Sequence, residues 1–172
     1  MAVELVRIDD RLVHGQVVEG WVKALRINHL IVASDAVEAD ETQKALYLLA
    51  VPNGVRLTTT TLSGAAQTWK TNRWKEDRAL ILVSTPQDVV RLFEAGAPLK
   101  SINLGGLHYR TGRVQVLKGI SLDDQDVRAL KTLAASGVLL EARPLPLDEP
   151  VDIALYLQRW QDERESLGEQ PR

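Results

Sequence analysis

One short segment near the N-terminus combines residue types that could do nucleophilic chemistry. Residues 6–17 read VRIDDRLVHGQV, so an apolar run ends, charged residues follow, and His14 comes directly before a predicted helix. A neutral imidazole is a nucleophile at cellular pH. The start of a helix offers unpaired N–H groups and the positive end of a dipole, which favour an anion such as phosphate. Arg11 could bind phosphate oxygens, and Gly15 would let the backbone approach a bound group. The segment therefore predicts a histidine that accepts and holds a phosphoryl group.

The same residue types also occur without any catalytic role. A single histidine near an arginine is common, and paired aspartates such as Asp9 and Asp10 usually form caps and Asx-turns. His14 could also be a general base, a metal ligand or a structural hydrogen-bonding group. We interpret the other two histidines, His29 and His108, as structural or solvated, because one opens a predicted strand and the other follows a glycine pair in a predicted loop.

Short apolar runs alternate with amphipathic stretches along the rest of the chain. The runs are rich in Val, Ile, Leu or Thr and end near turn-forming residues, which indicates strands, several of them covered on both faces. The stretches between them show helical spacing or capping signals. The predicted strands are 3–8, 29–34, 55–61, 79–84, 101–106 and 138–143, and the predicted helices are 15–25, 40–50, 86–95, 123–135 and 151–164.

This alternation predicts a single α/β domain with a mostly parallel central sheet of about six or seven strands and helices on both faces. The chain has 172 residues, which fits one domain with a substantial core. We assign residues 1–164 to the domain and residues 165–172 to a polar C-terminal tail. In open sheets of this kind, ligands collect beyond the carboxyl ends of the strands, which is where the loop before His14 is expected.

Composition excludes several functional classes. The chain is 45% hydrophobic and 26% charged with a net charge of -2, which is typical of a soluble globular protein and does not favour nucleic acid or anionic lipid as a partner. No apolar run approaches the ~20 residues of a membrane span, and the N-terminus lacks signal-peptide features. The absence of cysteine excludes disulfides and thiolate ligands and suits the cytosol. Neither metal-ligand spacing nor a nucleotide-binding glycine motif is present, so no metal and no cofactor are predicted.

The segment RIDDRLVHGQV (7–17) closely resembles the active-site loop of the enzyme IIB components of the mannose/fructose/sorbose class of the bacterial sugar phosphotransferase system. The resemblance extends over roughly residues 1–155 and implies the fold and the phosphotransferase activity of that family. Its other quoted stretches are HLIVASDAVEADETQKALYLLAVPNGV (29–55), SINLGGLHYRTGRVQVLKGISLDDQDV (101–127) and SGVLLEARPLP (136–146).

The resemblance implies a role for each residue of the loop. His14 would accept a phosphoryl group on its Nδ1 nitrogen, Arg11 would neutralise the moving phosphate, and Arg143, at the end of the late strand, would face it. The two loop aspartates would fix the loop by hydrogen bonds and orient the arginine or the imidazole ring. The residues implied to support the loop are Asp9, Asp10, Gly15 and Gln16.

The resemblance also implies partners and a location. A phosphorylated IIA component would be the donor, and the acceptor would be a sugar bound on the membrane IIC/IID permease, with the protein cytoplasmic and peripherally associated with that permease. The phosphoryl group would be carried covalently on His14. Two alternatives stay open: a regulatory phosphocarrier that uses the same histidine without sugar transport, and a receiver-like signalling domain. A receiver is disfavoured, because it needs an aspartate after the third strand, where residues 56–62 read RLTTTTL.

Overall fold

The structure is a computed structural model that describes residues 3–166 as strands alternating with helices. The strands are β1 (Val3–Asp9), β2 (His29–Ala33), β3 (Arg56–Thr60), β4 (Ala79–Val83), β5 (Ser101–Gly106), β6 (Val114–Leu117), β7 (Ile120–Leu122), β8 (Leu139–Ala142) and β9 (Val151–Asp152). The helices are a π-helical segment (Gln16–Trp21) that runs into α1 (Val22–Ala24), then α2 (Asp35–Glu38), α3 (Glu41–Ala50), α4 (Leu62–Lys70), α5 (Pro86–Glu94), α6 (Asp124–Ala135) and α7 (Ile153–Ser166).

One seven-stranded sheet has the order β3-β2-β4-β1-β5-β8-β9, in which only the short β9 pairs antiparallel. β6 and β7 form a separate antiparallel hairpin. β1 lies inside the sheet between β4 and β5, and Arg7 of β1 is in register with Leu82 of β4 and Asn103 of β5. The loop after β1 therefore emerges in the middle of the carboxyl edge of the sheet, the edge at which open α/β sheets bind ligands.

The sheet is covered on both faces, which explains why its inner strands are apolar throughout. Every side chain of β4 is buried. Leu80 and Leu82 join the hydrophobic cluster that contains the π-helical segment, whereas Ile81 and Val83 join the cluster that contains α4 to α7. Alternate side chains of a strand point to opposite faces, so an inner strand with no polar position must have a core on each side.

The predicted fold class is confirmed, and the six predicted strands match observed strands with ends that differ by at most one residue. The predicted helix at 86–95 is present, with Pro86 in its first turn and the Thr85 hydroxyl accepting the Asp88 N–H at 3.1 Å. The elements that the sequence did not predict are β6, β7, β9, α2 and α4.

The last helix ends later than the sequence predicted. The last helix, expected to end at residue 164, continues to Ser166. Residues 167–172 of the predicted polar tail lie outside the described residues. Across residues 3–166, none of the helices combines the length and the apolar character that crossing a bilayer requires.

Candidate functional site

The loop that carries His14 is held down by two buried apolar side chains. Leu12 and Val13 are only 3% and 6% exposed, whereas Arg11 on their N-terminal side is exposed and His14 remains partly accessible. The Leu12 N–H donates to the Asp9 carbonyl at 2.9 Å, and Leu12 adopts a φ of 54°. This left-handed conformation costs an L-residue about 1–2 kcal/mol. Burial of the Leu12 side chain offsets that cost and leaves the polar residues of the loop at the surface.

The π-helical segment begins at Gln16, two residues after His14. The N–H groups of Val17 and Val18 both donate to the His14 carbonyl, at 2.9 and 3.0 Å. The N–H groups of Gly15 and Gln16 precede these bonds, so they have no partner within the helix. Gly15 itself is helical, with a φ of -52°, and a Cβ built on it meets no atom within 4 Å. Open space and backbone donors therefore lie directly beside the histidine.

Asp9 is fully buried and organises the loop around its carboxylate. Its Oδ2 accepts a hydrogen bond from Arg7 Nη2 at 2.8 Å and lies 3.0 Å from His14 Nε2, while its Oδ1 accepts the Arg11 backbone N–H at 3.2 Å. Nε2 of His14 is buried, but it is not aligned with Oδ2 of Asp9 well enough for the contact to count as a hydrogen bond. Asp9 therefore fixes the turn and faces Nε2 of His14, so the other ring nitrogen, Nδ1, is not engaged by this carboxylate.

The pKa of Asp9 lies below its ordinary value. Burial alone would raise it, but the contact with His14, the charge of Arg7 and the Arg11 backbone N–H together lower it. Asp9 therefore stays ionised throughout the neutral range. Its carboxylate is a permanent negative charge behind the imidazole ring.

Arg7 forms a buried network that sequence reasoning missed. Its Nη1 donates to Asn103 Oδ1 at 2.6 Å and to the Arg143 carbonyl at 3.1 Å, and its Nη2 donates to the Pro144 carbonyl at 3.2 Å. The guanidinium also lies over the Trp21 ring, 5.4 Å from its centroid. A signal was present in the sequence, because an arginine inside a strand buried on both faces must find a partner.

Two adjacent glycines of β5 make room for this network. A Cβ built on Gly105 would lie 1.7 Å from Arg7 Cζ, and one on Gly106 would lie 3.2 Å from the carboxylate oxygens of Asp9. Neither glycine has a positive φ. Glycine is therefore needed at both positions because a side chain would occupy the space of the Arg7 guanidinium and the Asp9 carboxylate, and not because the backbone turns there.

Arg143 is engaged with the loop that follows β8. Its Nε donates to the Asp148 carbonyl at 2.9 Å, its Nη2 donates to the Pro146 carbonyl, and its guanidinium lies 5.7 Å from the Trp21 ring centroid. These contacts favour a role in fastening residues 144–148 beside the Arg7 network. The phosphate-facing role implied for Arg143 stays a prediction.

Asp10 points to a different part of the site from Asp9. Its Oδ1 accepts from His108 Nδ1 at 2.6 Å, its Oδ2 accepts the His108 backbone N–H at 2.8 Å, and its own N–H donates to the Gly106 carbonyl at 3.0 Å. Asp10 thus fixes the loop, as expected, but it orients His108 and is in contact with neither the Arg11 nor the His14 side chain. The structure therefore brings into the site a histidine that the sequence suggested was only structural or solvated.

The third histidine is structural, as predicted. His29 is buried, with its Nδ1 2.9 Å from Asp77 Oδ2 and its Nε2 2.8 Å from Thr58 Oγ1. These contacts link β2 to β3 and to the turn before β4. They lie at the amino ends of the strands, whereas His14 follows the carboxyl end of β1.

A cavity of about 440 Å³ lies beside the loop of residues 9–14. Arg11, Gln16, His108 and Lys118 line it, together with apolar residues of β7, β8 and the segment after β8. The Arg11 Nη2 donates to Gln16 Oε1 at 3.1 Å, so both predicted loop residues face this space together. Between residues 3 and 166, no group of three or more His, Cys, Asp or Glu side chains is placed to hold a metal ion.

Comparison with known proteins gives concordant matches. The family model for the PTS system sorbose subfamily IIB component matches residues 3–167. The PTS system fructose-specific EIIB component of Bacillus subtilis (strain 168) is 38% identical over 157 residues, which cover 91% of this chain and 96% of that protein. The mannose-specific EIIAB component of Escherichia coli (strain K12) is 37% identical over 86% of this chain, which spans 46% of that protein. The solved IIBSor domain of the sorbose permease from Klebsiella pneumoniae has a TM-score of 0.85 at 32% identity, covering 94% of this chain and 98% of that one.

Replacing Gly105 tests the buried network. Gly105→Ala should lower the free energy of unfolding by about 1–3 kcal/mol, because the new methyl group displaces the Arg7 guanidinium from its hydrogen bonds. Urea unfolding measures the difference. Gly15→Ala is the matched control, since it adds a methyl group to a helical glycine with open space around it and should leave stability equal or slightly higher. Equal stability of the Gly105→Ala variant and the unsubstituted protein would contradict the placement of Arg7.

The lowered pKa of Asp9 predicts how stability depends on pH. A carboxylate with a depressed folded-state pKa stabilises the fold above its unfolded-state pKa of ~3.9, and that contribution is lost as the pH falls through the folded-state value. Asp9→Asn should therefore be much less stable than the unsubstituted protein at pH 7, and the difference in stability should begin to shrink as the pH falls below about 4.

Urea unfolding between pH 3 and pH 7 measures both curves. Glu76→Gln, at an exposed carboxylate, serves as the control and should follow the unsubstituted protein throughout. A constant difference between Asp9→Asn and the unsubstituted protein at every pH would mean that Asp9 does not titrate as described.

Proposed function

The chain belongs to the sorbose subfamily of the IIB components of the sugar phosphotransferase system, and we propose that His14 is the residue on which it carries the phosphoryl group. IIB components of this class are phosphotransferases, so the chemistry to be explained is the acceptance of a phosphoryl group and its transfer to a sugar. In this proposal, Nδ1 of His14 both accepts the phosphoryl group and releases it to the sugar.

The observation that carries the proposal is the contact between Asp9 and His14. Asp9 Oδ2 lies 3.0 Å from Nε2, and a carboxylate oxygen can only accept a hydrogen bond, so it favours the tautomer with the proton on Nε2. The lone pair is then on Nδ1, since the Asp9 contact at Nε2 is the one polar contact of the ring among residues 3–166. An imidazole in this tautomer is a nucleophile suited to in-line attack on phosphorus.

The groups around the ring suit the charge of a phosphoryl group in transfer. Phosphoryl transfer depends mainly on positioning and on stabilising the charge of the three peripheral oxygens. Arg11 supplies an exposed guanidinium, and the N–H groups of Gly15 and Gln16 supply backbone donors beside His14. The carboxylates of the two loop aspartates are already engaged, since Asp9 is buried and both oxygens of Asp10 accept hydrogen bonds from His108.

The names of the relatives support a donor and an acceptor. The Escherichia coli relative is an EIIAB component, which supports a phosphorylated IIA component as the donor. The relatives are named for fructose, mannose, sorbose and N-acetylgalactosamine, which supports a sugar of this group as the acceptor. The solved relative is a domain of a sorbose permease, which supports association with membrane IIC/IID subunits at the cytoplasmic face.

The first experiment identifies the phosphorylated atom. A phosphoenolpyruvate-driven cascade that ends in a phosphorylated IIA component should label the protein once, and ³¹P NMR should report phosphohistidine substituted at Nδ1 of His14. His14→Ala should lose the label completely while the protein still folds, which urea unfolding checks. A label that survives acid and is released by hydroxylamine would indicate an aspartyl phosphate and reject the proposal. A phosphohistidine label that persists in the His14→Ala variant would reject the assignment to His14.

The second experiment separates the acceptor from the group that stabilises the transferred charge. Arg11→Ala should still be labelled to completion on His14, but the barrier to transfer should rise by about 2–4 kcal/mol, a slowing of roughly 30- to 1,000-fold. Rapid-quench kinetics with the phosphorylated donor in excess measures this rate. Arg26→Ala, an exposed arginine in the turn before β2, is the control and should transfer at the unsubstituted rate. An unchanged rate for Arg11→Ala would remove Arg11 from the mechanism.

A further inference from the structure

We propose that His108 is a second phosphoryl-binding residue, which contacts the phosphoryl group together with Arg11 as the group reaches His14. This inference rests on the proposed function of His14 and extends it to a side chain from a different strand. It is carried by the way in which Asp10 holds His108, and by the cavity that His108 shares with Arg11.

Asp10 holds His108 at two points. The carboxylate accepts both the backbone N–H and the ring Nδ1–H of His108, at 2.8 and 2.6 Å, and the Asp10 side chain is only 6% exposed. Because a carboxylate can only accept, the proton of this contact belongs to Nδ1. The ring is therefore fixed in its orientation and tautomer, an arrangement that a solvated surface histidine does not need.

The ring that Asp10 fixes is itself accessible. The His108 side chain is 48% exposed, and the structure shows no hydrogen bond at its Nε2 within residues 3–166. With a proton on Nε2, the ring donates to a phosphoryl oxygen as an imidazolium whose charge Asp10 balances. His108 thus mirrors His14, because each imidazole faces one loop aspartate with one nitrogen and leaves the other nitrogen available.

His108 lies in the same cavity as the loop beside His14. Arg11, Gln16, His108 and Lys118 line one space of about 440 Å³, large enough for a phosphoryl group together with part of the molecule that carries it. The charge of Asp10, which would repel a phosphate, is covered by the two His108 contacts and lies 3.9 Å from Arg110. The side of the cavity beside β1 and β5 therefore presents donors to an anion.

The acidic residues of the cavity lie on a separate segment. Asp148 and Glu149 line the same space but belong to the segment between β8 and β9. One oxygen of Asp148 is already used, since its Oδ2 accepts the Leu145 N–H at 2.8 Å. The hydrogen-bond donors and the acidic residues of the cavity thus come from different parts of the chain. In the proposal, the phosphoryl group binds on the side of the donors.

The test measures single-turnover transfer from a phosphorylated IIA component to the unsubstituted protein and to its variants. His108→Ala should slow transfer at least tenfold, and His108→Arg, which restores a cationic donor, should recover most of that loss. Thr111→Ala, an exposed residue of the same loop, is the matched control and should transfer at the unsubstituted rate. Urea unfolding of all three variants checks that the fold is intact, which is expected because the substituted side chains lie at the surface.

A spectroscopic measurement distinguishes contact from an indirect structural effect. In protein with ¹⁵N-labelled histidine, the His108 Nε2 resonance should shift when His14 becomes phosphorylated, and His29, buried on the far edge of the sheet, should not shift. Transfer by His108→Ala within twofold of the unsubstituted rate, or a His108→Arg variant as slow as His108→Ala, would overturn the proposal while leaving His14 as the acceptor. Failure of the unsubstituted protein to become labelled on His14 would overturn both proposals.

Discussion

The buried ion pair between Arg7 and Asp9 is the interaction on which the rest of the site depends. Both side chains are fully removed from solvent, and the desolvation of two charges costs several kcal/mol for each ion. The pair persists because Nη1 and Nη2 of the guanidinium also donate to Asn103 of β5 and to carbonyl groups after β8, although Nε has no hydrogen-bond partner. Since the oxygen of Asp9 that binds Arg7 also faces His14, the packing of three parallel strands determines the orientation of one imidazole ring.

The same pair balances the charge in the proposed transfer. When Nδ1 of His14 takes up a phosphoryl group and Nε2 keeps its proton, the ring becomes cationic, and Asp9 at 3.0 Å stabilises it. An uncompensated buried carboxylate would stabilise the phosphorylated ring strongly and oppose release of the group. Arg7, 2.8 Å from the same oxygen, offsets part of that attraction. A histidine that must both accept and release a phosphoryl group needs its phosphorylated state to be stabilised only moderately.

Most of the fold and the centre of the site could be predicted from the sequence, because both depend on local patterns. The apolar runs show the strands of a sheet covered on both faces, and RIDDRLVHGQV marks the loop of His14. The residues that were missed depend on contacts between distant segments. Arg7 meets Asn103 across 96 positions, and Asp10 meets His108 across 98, so no local pattern reveals either contact. Likewise β9 and α2, of two and four residues, are too short to show a periodicity.

The two adjacent aspartates illustrate why a motif does not define the roles of its residues. Asp9 is the last residue of β1 and Asp10 the first residue beyond it, and successive side chains of an extended chain point in opposite directions. Asp9 therefore turns inward to Arg7 and His14, and Asp10 turns toward His108 after β5. A shift of one residue in the pairing of β1 would place Asp10 over the core and direct Asp9 to the cavity. The register of β1 against β5, held by Arg7 opposite Asn103, thus decides which aspartate orients which histidine.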